Sequence, residues 1–203
     1  MGVRIFTTGI ESLDEKLFQP IKNAEYGLMN KPRGGLWGST YTKDDIFPSD
    51  WVKWGIYEEF FKEDTIDCRG VVYSLKNDAK ILDIPTIYQF DDRIVDTSTI
   101  DQFFESLSKY YTIEIEFKGR YDKKYVTCDW EAVAKDYDAI RVPMELIELS
   151  KYHSSVFTVN NIIYTDFSSW DCESWLIFNF NCIDTNNTKL IDFNDFVHIY
   201  YGY

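Results

Sequence analysis

Short strand-like runs alternate with short helix-like runs along most of this chain, and that alternation constrains its fold more than any single motif does. Residues 3–8 begin with alternating apolar side chains, and residues 70–75 are rich in valine and tyrosine, as strands are. After Pro48-Ser49-Asp50, the run 51–61 has the spacing of a helix with one buried side. The pattern lacks the long regular helices of a doubly wound sheet. We therefore expect one α+β domain over residues 1–203.

The other predicted elements are equally short. A capping-box pattern of Ser12 and Glu15 predicts a helix up to residue 18, and Asp129 is expected to cap another up to residue 135. Helices are also predicted at 100–111 and from Pro143, turns at 121–124 and at Asn186-Asn187, strands at 36–41, 80–84, 112–117, 139–142, 160–165 and 170–180, and a last strand or helix at the C-terminus.

Composition limits the partners of this chain. Hydrophobic residues make up 45% of it and aromatic residues 18%, which excludes a disordered protein and supplies a sizeable core. The formal net charge is -13, and a field of that sign repels nucleic acid phosphates. We therefore expect a protein acceptor or partner rather than a nucleic acid. The acidity has two interpretations: it provides solubility, or it forms a decoy surface that imitates nucleic acid and binds a basic partner.

The cysteines and apolar runs bear on compartment. Cys68, Cys128, Cys172 and Cys182 are widely spaced without a Cys-x-x-Cys pair, and only two histidines are present, so the sequence has no zinc signature. Scattered cysteines of this kind indicate a reducing cytosol. Neither an apolar signal core nor a run of 18 apolar residues occurs. We expect a cytoplasmic protein without membrane contact, and the oligomeric state stays open.

The stretch 30–40 combines backbone freedom with a flat ring and two hydroxyls. Its glycines permit close approach of the backbone to a ligand, Trp37 offers an apolar face, and Ser39 and Thr40 offer small donors and acceptors. This combination indicates a binding loop. The alternative is a glycine-rich turn leading into a strand whose tryptophan fills the core.

Two further segments place charged residues beside predicted strands. Arg4 lies in the first strand, and Asp171 and Glu173 lie at the start of the predicted strand 170–180. Residues two apart on a strand face the same way, so the two carboxylates are expected to share a face. Such a pair costs repulsion and is typical of a functional site or of simple exposure to water.

In this order along the chain, the three segments resemble the arginine–serine–glutamate branch of the ADP-ribosyltransferase superfamily. That branch has an arginine on its first strand, a Ser-Thr-x motif on its second, and an acidic-x-Glu motif before an apolar strand. Arg4, Ser39-Thr40-Tyr41 and Asp171-Cys172-Glu173 occupy those places. The segments Asp129-Trp130-Glu131 and 136–140 also resemble related phage and bacterial proteins. The resemblance implies a single-domain split β-sandwich with short flanking helices.

The resemblance also implies roles, with NAD as cofactor. Glu173 would bind a ribose hydroxyl and stabilise the positive charge that develops as nicotinamide departs. Asp171 would orient or deprotonate the acceptor, and Ser39 would brace both the ribose and the acidic residue. Because Asp171 stands where Glu or Gln is usual, either carboxylate can be the principal catalytic one. The residues that would bind NAD are Arg4, through a phosphate, Trp37 or Tyr41, through stacking, and Ser39 and Thr40.

Two functions from different classes follow. The first is an NAD-dependent enzyme that transfers ADP-ribose to a macromolecular acceptor, as toxins, effectors and phage-encoded modifiers of host machinery do. The second is a non-enzymatic acidic inhibitor of the anti-defence type, which mimics nucleic acid and blocks a basic nucleic-acid-binding partner. A transferase fold that has lost catalysis and serves only for binding is a third alternative.

Overall fold

The computed structural model describes residues 2–24, 31–43, 46–62, 68–83, 108–116, 124–152, 158–159, 162–164 and 166–202. Within them the strands are β1 Arg4–Thr8, β2 Leu36–Thr40, β3 Arg69–Leu75, β4 Ile81–Asp83, β5 Tyr111–Glu116, β6 Lys124–Cys128, β7 Ala139–Val142, β8 Thr158–Val159, β9 Ile162–Tyr164, β10 Ser174–Ile177 and β11 Ile183–Asp192. The α-helices are α1 Asp50–Tyr57, α2 Trp130–Asp136, α3 Met144–Tyr152 and α4 Asn194–Tyr201.

The strands form two sheets. A seven-stranded sheet has the order β11-β3-β1-β2-β10-β7-β4, and a four-stranded sheet has the order β5-β6-β9-β8. In the larger sheet the neighbours pair antiparallel except β4 and β7, which pair parallel. The mixed sheet with flanking helices confirms the α+β class. It also makes β1, β2 and β10 immediate neighbours.

Register assigns the side chains of the larger sheet to two faces. Ile5 lies opposite Thr40, and Phe6 lies opposite Ser39. Because successive side chains of a strand point to opposite faces, Thr40 and Ser39 lie on different faces. We call these the Thr40 face and the Ser39 face. Trp175 lies opposite Gly38 and therefore belongs to the Thr40 face.

Both faces are covered by apolar side chains. Ile5, Tyr73 and Trp175 belong to the core of the Thr40 face. The Ser39 face carries two cores. The first core joins Phe6 of β1 to α1 and to the C-terminal helix, and its members include Val52, Ile56, Phe193 and Val197. The second core joins β7 and β10 to β6 of the smaller sheet, and its members include Ile140, Leu176, Val126, Trp130 and Trp170. This second core holds the two sheets together.

Local capping produces several elements as predicted. Ser49 caps α1 and accepts a hydrogen bond from the Val52 amide, and Asp129 caps α2 and accepts one from the Ala132 amide. Strand β7 and the helix after Pro143 are likewise confirmed. The predicted strand 112–117 corresponds to β5, whose residue 117 lies outside the described residues.

Other boundaries differ from prediction. The Ser12 helix is wrong, because the Asp14 side chain accepts from the Lys16 amide and caps a short 3-10 turn, Glu15–Leu17. Helix α1 ends at Tyr57, and Glu59 beyond it has a φ of 60°. The turn predicted at Asn186-Asn187 lies inside β11 as an irregularity: the register against β3 shifts between Asp184 and Lys189, and the Asn186 amide donates to the Asp184 carboxylate at 3.1 Å. Strand β4 lies within the predicted strand 80–84 and β9 within the predicted strand 160–165, whereas the predicted strand 170–180 shortens to β10. Lys124 of the predicted turn 121–124 begins β6, and Tyr111 of the predicted helix 100–111 begins β5. Residues 84, 100–107, 121–123, 160–161 and 165 lie outside the described residues.

Among the residues that the structure describes, no helix combines the length and the apolar character that a bilayer crossing requires. The four cysteines are all buried, and none forms a disulfide.

Candidate active site

Glu173, immediately before β10, is the only buried charged residue in the described part of the chain. Its Oε2 accepts a hydrogen bond from the Thr40 amide at 2.8 Å, and its Oε1 accepts one from the Thr40 hydroxyl at 2.7 Å. The Nε of Arg141 donates to Oε1 at 3.1 Å. Burial of an isolated carboxylate is costly, so these three donors are what permits its burial.

Arg141 supplies the positive charge beside Glu173 from the neighbouring strand. It lies on β7 opposite Trp175, and 30% of its side chain is exposed, against 7% for Glu173. Its bond to Glu173 runs through Nε, and within the described part of the chain no hydrogen bond engages its terminal guanidinium nitrogens. A guanidinium carries five N–H donors in a fixed fork, so Arg141 can bind a second anion while it holds Glu173.

Thr40 is fixed by contacts in two directions. Its hydroxyl accepts a hydrogen bond from the indole of Trp175 at 3.1 Å while it donates to Glu173. The pairing sets the direction of the hydroxyl proton, which points toward the carboxylate. Thr40, Glu173, Arg141 and Trp175 thus form one polar cluster on the Thr40 face, which we call the Glu173 cluster.

Ser39 lies on the opposite face and has a different role. It is fully buried, and its hydroxyl oxygen accepts a hydrogen bond from the Trp51 amide at 3.1 Å. The Trp51 indole donates to the Ser174 hydroxyl at 3.1 Å. The prediction that Ser39 braces the acidic residue is wrong, because Thr40 makes that contact and consecutive strand residues face apart. Ser39 instead fixes the first turn of α1.

Asp171 does not share a face with Glu173, contrary to the prediction. Regular strand pairing begins only at Ser174, and Asp171 has a φ of 65° after a 3-10 turn. Its carboxylate pairs with Lys31 at 3.2 Å, and the Lys31 ammonium lies 5.3 Å from the Trp37 ring centroid. The two predicted catalytic carboxylates therefore belong to different clusters.

Trp37 and the glycines before it lie in a turn that packs on the rest of the chain. Trp37 contacts Trp170, with ring centroids 4.9 Å apart, and its indole donates to the Gly34 carbonyl. Gly34 and Gly35 have φ values of 80° and 66°. A Cβ on Gly35 would lie 2.6 Å from the Ile177 carbonyl oxygen. The structure thus packs this stretch against the protein itself, as the alternative interpretation of the sequence expects.

Arg4 and Tyr41 contact each other across the same end of the sheet. The Arg4 guanidinium lies 5.7 Å from the Tyr41 ring centroid, and the Tyr41 amide donates to the Arg4 carbonyl at 2.8 Å. Arg4 has the same strand parity as Phe6 and so belongs to the Ser39 face. Arg4 and the Glu173 cluster occupy one end of the sheet but opposite faces.

A cleft of about 300 Å³ opens between α1 and α3 on the Ser39 face. Cys172 lines this cleft, and burial raises the pKa of its thiol to about 12. The thiol is therefore protonated at neutral pH and is not an activated nucleophile. A larger cleft of about 440 Å³ lies at the far end of β7 and β10, beside Asp138 and Asn179, away from Glu173. The cleft on the Ser39 face is lined by Asp50, Lys53, Trp54, Tyr57, Met144, Glu148, Asp171 and Cys172.

Sequence reasoning missed Arg141 and the contact from Thr40. A signal for the first existed, since Arg141 is the one charged residue in the otherwise apolar strand Ala139–Val142. Within the described residues, no cluster of three or more His, Cys, Asp or Glu is arranged to hold a metal ion.

In comparisons with protein-family models, curated proteins and solved structures, nothing matches this chain.

Proposed function

We propose that this protein is an NAD-dependent ADP-ribosyltransferase whose active site is centred on Glu173, with a protein as acceptor. The observation that carries the proposal is the Glu173 cluster, in which Thr40 and Glu173 are bonded across neighbouring strands. Arg4, Ser39-Thr40-Tyr41 and Asp171-Cys172-Glu173 come from distant parts of the chain, and β1, β2 and β10 bring them to one end of one sheet.

The unused hydrogen-bonding capacity of the cluster supports this function. A carboxylate offers about four lone-pair positions, and three protein donors reach Glu173. The remaining position can accept a ribose hydroxyl. The terminal nitrogens of Arg141 can bind a phosphate oxygen on the same face, a role that the sequence resemblance assigned to Arg4.

The reaction needs stabilisation of positive charge more than it needs a strong base. The bond between ribose C1′ and the nicotinamide nitrogen breaks, nicotinamide leaves with the bonding pair, and C1′ bonds to an acceptor nucleophile that loses a proton. A fixed carboxylate beside C1′ stabilises the charge that develops there. The three donors on Glu173 hold its carboxylate in place before substrate arrives.

The test is nicotinamide release from NAD by the purified protein, with cell lysate as a source of acceptors. Glu173→Gln should reduce release about 100-fold or more, in line with the loss of a transition-state contact. Glu131→Gln is the matched control, because Glu131 forms an exposed ion pair with Lys22. No release by the unaltered protein, or equal release by Glu173→Gln, would overturn the proposal.

A second candidate is the acidic inhibitor of a basic nucleic-acid-binding partner. The net charge of -13 favours it, because such a charge steers a basic surface toward the protein. Under this function the Glu173 cluster is structural, and Glu173→Gln leaves the salt-sensitive complex intact. Charge reversals at exposed acids would weaken that complex.

A further inference from the structure

Helix α4 leaves one apolar side uncovered. Val197 packs inward and is 4% exposed, together with Phe193 just before the helix. Phe196, Ile199 and Tyr200 point outward and are 43%, 79% and 47% exposed. These three residues are spaced three and four apart, so they lie on one side of the helix. The helix is therefore apolar on two sides, and the fold buries only one of them.

Tyr57 at the end of α1 extends this exposed side. It is 58% exposed, and its ring centroid lies 5.9 Å from that of Tyr200 in an edge-on contact. We call Tyr57, Phe196, Ile199 and Tyr200 the α1–α4 apolar surface. Because Tyr57 and Tyr200 are in contact, the four side chains form a connected apolar patch, and such a patch on a monomer is often functional.

The helix that carries this surface is anchored before any partner binds. The Tyr201 hydroxyl donates to the Ile56 carbonyl at 2.7 Å and ties α4 to α1. Phe193 packs edge-on against Phe61, with ring centroids 5.3 Å apart. A surface held this firmly loses little conformational entropy when a partner docks.

Acidic groups lie directly beside the apolar surface. Tyr57 also lines the cleft between α1 and α3, which contains the carboxylates of Asp50, Glu148 and Asp171. Asp171 is paired with Lys31, whereas neither Asp50 nor Glu148 forms an ion pair with a described residue. Lys53 lines the same cleft, so two unpaired carboxylates face one lysine there and the net charge of the cleft is negative. The surface and the cleft are thus continuous through Tyr57, with apolar side chains on one part and negative charge on the other.

We infer that the α1–α4 apolar surface and the adjoining cleft form a docking site for a basic segment of a partner protein. The segment would place apolar side chains on Tyr57 and α4, and a lysine or arginine in the cleft. A nucleic acid does not fit, because the net charge of -13 repels phosphate. A second copy fits poorly, because it would bring the same acids and a second net charge of -13 to the contact.

The probe for this site is a fluorescent helical peptide of about 18 residues, with leucine along one side and lysine elsewhere. A peptide of the same pattern with glutamate in place of lysine is its charge control. Fluorescence anisotropy at about 150 mM salt measures binding. We expect the lysine peptide to bind and the glutamate peptide not to bind.

Variants separate docking from general attraction to an acidic protein. Ile199→Ser leaves the charge unchanged and should weaken lysine-peptide binding about tenfold or more. Leu17→Ser is its control, since Leu17 is 56% exposed and lies far along the chain in the 3-10 turn Glu15–Leu17. Glu148→Gln should weaken binding, whereas Glu131→Gln should not.

Three results would overturn the inference. In the first, Ile199→Ser and the unaltered protein bind the lysine peptide equally well. In the second, the unaltered protein binds the lysine and glutamate peptides equally well. In the third, the unaltered protein is a dimer in solution and Ile199→Ser dissociates it. Nicotinamide release by Ile199→Ser is measured in parallel, because the docking site and the transferase site stand on different residues. Loss of peptide binding with unchanged release supports the docking site whatever the outcome for Glu173.

Discussion

A shift of one residue along β2 changes what a hydroxyl group contacts. Thr40 and Ser39 are consecutive hydroxyl residues on β2, and each is held by a specific contact. Thr40 bonds a buried carboxylate that still has an accessible, partly exposed arginine beside it. Ser39 bonds a backbone amide at the start of a helix. The first arrangement leaves Arg141 partly exposed beside the carboxylate, and this is the group that the proposed transferase function uses.

Substitution of the two hydroxyl residues should separate these roles. Thr40→Val removes the donor to Glu173 and should reduce nicotinamide release by about tenfold or more, with a stability cost of about 1–2 kcal/mol. Ser39→Ala removes the acceptor of the Trp51 amide and should cost about 1 kcal/mol of stability. Its release per folded molecule should stay unchanged. Urea unfolding and the release assay are measured on both variants.

The outcome that contradicts this assignment is the opposite pattern. If Ser39→Ala reduced release per folded molecule while Thr40→Val left it unchanged, the site would lie on the Ser39 face beside Arg4 and Tyr41.

At the scale of elements, contacts between residues close in sequence were predictable, whereas contacts between distant strands were not. The caps at Ser49 and Asp129 were predictable because each cap bonds amides within three residues. The ion pair of Arg141 and Glu173 joins residues 32 positions apart and depends on β7 and β10 being neighbours. No local pattern encodes that adjacency.

The separation of Asp171 from Glu173 has a second cause. The prediction assumed a strand through residues 171–173, where alternation would put both side chains on one face. The 3-10 turn Ser168–Trp170 and the positive φ of Asp171 break that alternation. The resemblance implied that the segments around Ser39 and Glu173 lie close together. The face of the sheet on which each side chain lies could be assigned only from the strand register.

The glycine-rich turn before β2 provides a test at this scale. Gly35→Ala should destabilise the protein by about 2–4 kcal/mol, because its φ is positive and a Cβ would meet the Ile177 carbonyl. Gly9→Ala is the matched control: its φ is 77°, but nothing lies within 4 Å of its Cβ position. The control should cost only about 1 kcal/mol. Equal losses in urea unfolding would show that the turn does not pack tightly on β10.

At the scale of the whole molecule, one shared core holds the two sheets together, and the thiols of three buried cysteines stay neutral in the folded protein. Val126 and Cys128 of the smaller sheet pack in the same core as Ile140 and Leu176 of the larger one. Burial raises the pKa of Cys172 and of Cys182 to about 12, and it also raises the pKa of Cys128. The folded protein therefore keeps these thiols protonated over a pH range in which the unfolded chain does not.

This difference predicts a loss of stability at alkaline pH. An unfolded cysteine has an ordinary pKa of 9.0, so above that pH the unfolded chain releases protons that the folded protein retains. Stability is fully present below about pH 9 and declines as the pH rises toward 12, by about 1 kcal/mol per thiol at one unit above the unfolded pKa. Urea unfolding midpoints at about pH 8 and about pH 10 measure the decline. Cys172→Ala should lower stability at both pH values through lost packing, but its midpoint should fall less between them, because one titrating thiol is gone. If the variant and the unaltered protein showed the same decline, the buried thiols would not be its source.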